Sequence, residues 1–104
     1  MQLEEYQQYV AEGASPFYSD LGFALLALVG EVGEVCDAVK KDIIYPEREQ
    51  NADKIKDELG DVLWQWMAAV NAARLNVNDV LEYNVKKLNA RQGGATLQRD
   101  GGKR

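Results

Sequence analysis

The chain has 104 residues, 46% of them apolar and 28% charged, which sets it among single globular domains rather than disordered segments. It holds no histidine and one cysteine, Cys36, which excludes histidine acid/base chemistry, His-containing metal sites, an internal disulfide and a thiolate zinc cluster. The net charge of −5 is uneven, with seven carboxylates and no base in residues 1–39 against six bases and one acid in residues 86–104. That balance argues against a nucleic-acid-binding face and suits a cation-filled site that receives an anion.

The longest apolar run, Phe23 to Val29, is too short to cross a bilayer. Glu4 and Glu5 stand where the basic region of a signal peptide would be. A soluble, cytoplasmic protein is the expectation.

Four helices are read from the periodicity. The first covers Leu3 to Ala11 and ends at Gly13 and Ser15-Pro16. The second runs from Asp20, a suitable N-cap, to about Ile44. Its apolar stripe is Leu21, Leu25, Leu28, Val32, Cys36 and Val39, and Tyr45-Pro46 closes it. The third runs from about Asn51 to Leu75, with Ile55, Leu59, Val62, Trp66, Val70 and Ala73 as its stripe. The fourth runs from about Asn78 to Arg91, with Val80, Leu81, Val85 and Leu88 apolar, and stops at Gly93-Gly94. No strand signal is present, so the class is all-α, a bundle-like arrangement of four helices. Residues 1–92 form one domain and 93–104 a Gly-rich basic tail, expected to be mobile by itself.

Gly30, Gly33 and Gly60 interrupt helices two and three, each at a cost of about 1 kcal/mol against alanine. Either the helices pack closely there, or something else approaches the backbone. All three flank carboxylates.

Two acidic pairs carry the chemistry: Glu31 with Glu34, and Glu58 with Asp61. Spacing of i, i+3 puts each pair on one helix face. Asp79 and Glu82 share it and read as a solvated face. Folding helices two and three into an antiparallel hairpin about Pro46 brings the first four together, since Glu34 and Glu58 lie twelve residues from the turn and Glu31 and Asp61 fifteen. Two like charges ~4 Å apart repel by ~4 kcal/mol at an effective dielectric near 20, so such a cluster needs protons or cations. Carboxylates without histidine or thiolate are hard ligands. They favour Mg²⁺, with Mn²⁺ possible. Lys41 and Lys54 continue the two faces on the Pro46 side, where they either hold phosphate or pair with neighbouring acids.

The stretch Leu28-Val29-Gly30-Glu31-Val32-Gly33-Glu34-Val35, followed by Lys40-Lys41, resembles the first signature of MazG-like nucleoside triphosphate pyrophosphohydrolases. Asp57-Glu58-Leu59-Gly60-Asp61-Val62-Leu63-Trp64 resembles the second, after a spacer of 23 residues. Glu5-Tyr6-Gln7-Gln8 looks like the family's first helix, and Lys87-Leu88-Asn89-Ala90-Arg91 with the basic ending looks like its small members' tail. Gly30 departs from relatives that carry an extra acid there.

The resemblance implies a MazG-type bundle that hydrolyses an NTP or dNTP to the monophosphate and pyrophosphate with Mg²⁺ held by Glu31, Glu34, Glu58 and Asp61. It also implies a homo-oligomer, dimer or tetramer, with sites near subunit interfaces. Val29, Val35, Leu63, Trp64 and Met67, beside the main stripes, are covered by a partner subunit or form ordinary core. Glu34 or Glu31 is the expected base. Lys41, Lys54, Lys87 and Arg91 are expected to neutralise the departing pyrophosphate, with Arg99, Lys103 and Arg104 closing over it. Trp64 either stacks on a base or packs. Gln65 and Asn89 are candidates to hydrogen-bond a base or sugar, and Phe17 and Tyr18 to wall the pocket. The other readings are a narrow-substrate relative acting on dUTP or a phosphoribosyl-nucleotide, and a non-catalytic helical oligomerisation module.

Overall fold

The structure is a computed structural model that describes residues 1–47 and 52–98, with side chains for 1–47 and 53–92. Helix α1 spans Leu3–Gly13, a 3-10 turn Pro16–Ser19, α2 Leu21–Ile44, α3 Ala52–Ala72 and α4 Val77–Gln98. The described residues contain no strand. None of their helices is long and apolar enough to cross a membrane.

Local chemistry sets the boundaries. The Gln2 amide donates to Glu5 Oε1 at 2.6 Å, which fixes the start of α1. Asp20 caps α2 by accepting from the Phe23 amide at 3.2 Å. Asn76 Oδ1 accepts from the Asn78 amide at 2.8 Å at the start of α4. Helix α3 closes through bonds from the Arg74 amide to the Asn71 carbonyl and from the Leu75 amide to the Val70 carbonyl. This end motif places Arg74 at φ 60°, a position that usually takes glycine.

Two boundaries differ from the sequence expectation. Pro16, with its φ already preset, starts a 3-10 turn where only a break was expected. Helix α4 passes through Gly93-Gly94 and reaches Gln98. Two glycines weaken a helix but do not stop one already propagating toward Ala95, Leu97 and Gln98, which are good helix formers. Residues 99–104, including Arg99, Lys103 and Arg104, lie outside the described residues.

The core is small and sits at one end, where Val10, Met67, Ala68, Val70 and Val77 are buried together, with Tyr6, Tyr18, Trp64, Trp66 and Val80 packed on them. Gln7 fastens this end. Its amide nitrogen donates to Asn71 Oδ1 at 2.8 Å and to the Leu75 carbonyl at 2.9 Å, and its oxygen accepts from the Val77 amide at 3.1 Å. One side chain from α1 thus satisfies both the exit of α3 and the entry of α4.

Away from that end, α2 and α3 form a long hairpin covered on one side only. The expected stripe on α2 is correspondingly open, with Leu21, Leu25, Val32 and Val39 all exposed, as are Ile55 and Leu59 on α3. Among the described residues, α3 and the 3-10 turn are the elements packed on α2. Met67 is core, whereas Val29 is 67% exposed and Leu63 is exposed. Helix α4 lies against α1, not along the hairpin. The radius of gyration is 17.3 Å, against about 13 Å for a compact chain of this length.

Candidate metal centre

Antiparallel pairing of α2 with α3 carries the two acidic motifs to the same level. One carboxylate oxygen from each of Glu31, Glu34 and Glu58 lies within 4.8 Å of the others. A second group of Asp57, Glu58 and Asp61 meets the same condition. Glu58 belongs to both and is the buried member, 8% exposed. Glu31 is half-buried, while Glu34, Asp57 and Asp61 are exposed. The oxygens converge on a common space, and oxygen-only donors at this spacing fit a hard divalent cation.

The electrostatics agree with crowding. Burial raises the Glu31 carboxyl above its ordinary value, and the charges of Glu34, Asp61, Glu58 and Asp57 raise it further. Tyr6, on α1, is raised by burial first, then by Tyr9 and Asp61, which places its phenol within the electrostatic reach of the cluster.

The expected basic groups are arranged otherwise. Lys41 Nζ pairs with Asp37 at 3.0 Å, one turn back on its own helix. A hydrogen bond from Lys41, then its charge, holds the Asp37 carboxyl below its ordinary value. Lys54 Nζ is 3.7 Å from Glu58 Oε1, so its ammonium already stands beside the acids. Intrahelical pairing is therefore what both lysines show. Lys87, Asn89 and Arg91 are exposed on α4, which packs on α1, and this chain does not bring them to the α2–α3 seam.

The aromatic side of the site is built one turn beyond Asp61. Tyr18 donates its hydroxyl to Gln65 Oε1 at 2.8 Å. Its ring meets Trp64 edge-on at 5.3 Å and Phe23 edge-on at 5.0 Å. Trp64 is half-buried and packed on the core. Phe17 stacks on Phe23 at 5.5 Å and is 71% exposed. The glycine expectation changes too. A Cβ at Gly30, Gly33 or Gly60 would meet nothing within 4 Å, so close packing inside this chain does not explain them.

Two participants, Asp57 and Tyr6, and one bond between residues already named as candidates lie outside the sequence expectation. Asp57 was passed over as the residue before Glu58, although its i, i+4 relation to Asp61 marks a shared face. The Tyr18–Gln65 bond joins residues 47 apart, and no local pattern signals it. Tyr6 reads as an ordinary apolar position of α1.

Residues 23–94 match the family model of the MazG nucleotide pyrophosphohydrolase domain. The chain belongs to the MazG nucleotide pyrophosphohydrolase family. The matched segment contains both acidic motifs and the hairpin that joins them. The chain is also 29% identical over 99 residues to the Gene 37 protein of Mycobacterium phage L5, covering 92% of this chain and 87% of that protein. No solved structure matches. The all-helical architecture and the paired acidic motifs thus stand together with MazG membership.

Proposed function

We propose that this chain is a Mg²⁺-dependent pyrophosphohydrolase that converts an NTP or dNTP to the monophosphate and pyrophosphate. The observation that carries the reading is the convergence of Glu31, Glu34 and Glu58 oxygens within 4.8 Å, beside Asp57 and Asp61. Glu31, Glu34, Glu58 and Asp61 hold Mg²⁺, with Mn²⁺ able to replace it, and Asp57 adds a fifth carboxylate. A bound divalent cation supplies charge for the phosphate oxygens and lowers the pKa of a coordinated water.

In this reading Glu34 or Glu31 accepts the proton of the attacking water. Water adds its oxygen to phosphorus, the bond between the α- and β-phosphates breaks, and pyrophosphate leaves. Lys54, beside Glu58, and Lys41, once released from Asp37, offset charge on the leaving group. The nucleoside lies toward Tyr18 and Gln65. Tyr18 fixes which end of the Gln65 amide faces outward.

The working form is a homo-oligomer, dimer or tetramer. The exposed apolar residues of α2, Leu25, Leu26, Val29 and Val32 among them, support this, because a lone chain leaves them in water. Lys87, Arg91 and Arg99 then act on phosphate, and Asn89 on the base or sugar, from a neighbouring copy. Sedimentation equilibrium reads the state directly, and a monomer at micromolar concentration contradicts the proposal.

The activity is tested by pyrophosphate release from a panel of NTPs and dNTPs, with Mg²⁺ and with EDTA. Release of pyrophosphate with the matching monophosphate, abolished by EDTA, supports the reading. Release from dUTP or a phosphoribosyl-nucleotide alone assigns the narrower substrate. No release from any of them, with a folded protein, leaves the non-catalytic helical module.

A further inference from the structure

The geometry points to a second ligand site, separate from the acidic cluster, that takes a small organic anion through Arg74. A half-open cavity of about 390 Å³ lies between the end of α1, the 3-10 turn and the end of α3. Its floor is Ala68 and Ala72. The ordinary helical rise puts these roughly 10 Å or more along α3 from Asp61. Its polar rim is Ser15, Ser19, Asn71 and Arg74. None of the acids of the cluster lines it, and in a chain of net charge −5 its lining contains no carboxylate at all.

The rim is rich in unused donors. Among the described residues the Arg74 guanidinium has neither an ion pair nor a hydrogen bond, and the Ser15 hydroxyl makes no cap bond to the turn. Asn71 uses its oxygen to accept from Gln7 and one N–H to reach the Gln7 carbonyl at 3.3 Å, which leaves its second N–H. Ser19 spends its hydrogen on the Pro16 carbonyl at 2.8 Å. Guanidinium, hydroxyl and amide donors over an alanine floor match one phosphate or carboxylate group on an apolar body. The volume falls in the usual range for small-molecule sites.

The backbone supplies an independent reason. Arg74 sits at φ 60°, where a residue with a Cβ costs roughly 1 kcal/mol or more and glycine is the ordinary choice. Arg74 takes that strained position with no acid paired to it among the described residues, which leaves its guanidinium free for a ligand.

This site does not depend on the nucleotide-hydrolysis reading, and the test keeps the two apart. Amide NMR spectra of the full chain in EDTA are followed while a nucleoside monophosphate, an aromatic carboxylate, or the uncharged nucleoside is added. The expected result is movement of the Ser15, Ser19, Ala72 and Arg74 signals with either anion, and binding weaker by about tenfold or more for the uncharged nucleoside. Arg74→Gly removes the guanidinium and suits the backbone, so it keeps the fold. It is expected to weaken both anions by a similar factor while leaving the melting temperature equal or higher. Equal binding by Arg74→Gly, shifts confined to the neighbours of Glu31 and Glu58, or no shifts at all would each overturn the site.

Discussion

Replacing Glu58 by glutamine should stabilise the metal-free protein and make it indifferent to Mg²⁺. Glu58 is the buried carboxylate common to both acidic groups, with oxygens of Glu31 and Glu34, and of Asp57 and Asp61, within 4.8 Å. At 4.8 Å and an effective dielectric near 20, a like-charge pair costs ~3.5 kcal/mol before solvent screening. Solvent around Glu34, Asp57 and Asp61 screens most of this. The ion pair from Lys54 at 3.7 Å offsets a further few tenths of a kcal/mol. A net relief of about 1 kcal/mol remains, which raises the melting temperature by roughly 4–8 °C for a domain of this size. Differential scanning calorimetry in EDTA reads it. In Mg²⁺ at a hundred times its Kd the wild type gains about 2.7 kcal/mol, and the variant gains almost nothing. A variant that melts lower than wild type in EDTA, or that gains as much from Mg²⁺, would refute the reasoning.

Glu34→Gln should lower pyrophosphate release by at least about 100-fold while the far-ultraviolet circular dichroism stays unchanged, whether the lost group is a ligand or the base; full turnover would contradict its assignment. Gln7→Ala removes three bonds that tie α1 to the α3–α4 turn and should cost about 2–3 kcal/mol in urea unfolding, with a loss under 0.5 kcal/mol (roughly one surface contact) counting against the bracket role. The raised Glu31 carboxyl means the folded protein binds its proton more tightly than the unfolded chain does. Its favourable contribution in EDTA is therefore full below the ordinary carboxylate pKa and is lost as pH rises through the folded value. Glu31→Gln should accordingly be the more stable protein at pH 7, with its advantage shrinking toward pH 4 in calorimetric titrations, and an advantage that grows on acidification would reverse the sign.

The sequence carried the parts of this fold that depend on local chemistry. Asp20 as a cap and Pro46 as a stop both follow from single residues, and the extents of α2 and α3 came out within a few residues. The pairing of the acidic motifs was legible for a similar reason, because equal distances from one turn fix which levels of a hairpin meet. What stayed hidden depends on long-range placement. The apolar stripe of α2 has helical period yet stays largely exposed among the described residues, and periodicity says which residues want cover without saying who supplies it. Lys87, Asn89 and Arg91 were expected at the site from the family resemblance, yet α4 packs on α1 and leaves them exposed in this chain. Gly93-Gly94 looked like a stop because glycine is weighed one position at a time, whereas helix growth is cooperative. Tyr18 reached Gln65 through a 3-10 turn that no spacing announced.

In the proposed function, carboxylates from α2 and α3 surround a divalent cation that binds a polyphosphate. Crystals grown with Mn²⁺ and a non-hydrolysable triphosphate analogue test it most directly through anomalous scattering. Manganese peaks are expected between Glu31, Glu34 and Glu58, with Asp57 or Asp61 also in reach and phosphate oxygens completing the coordination. Manganese found elsewhere, or an α2–α3 seam without a peak while the analogue binds at another face, would contradict it.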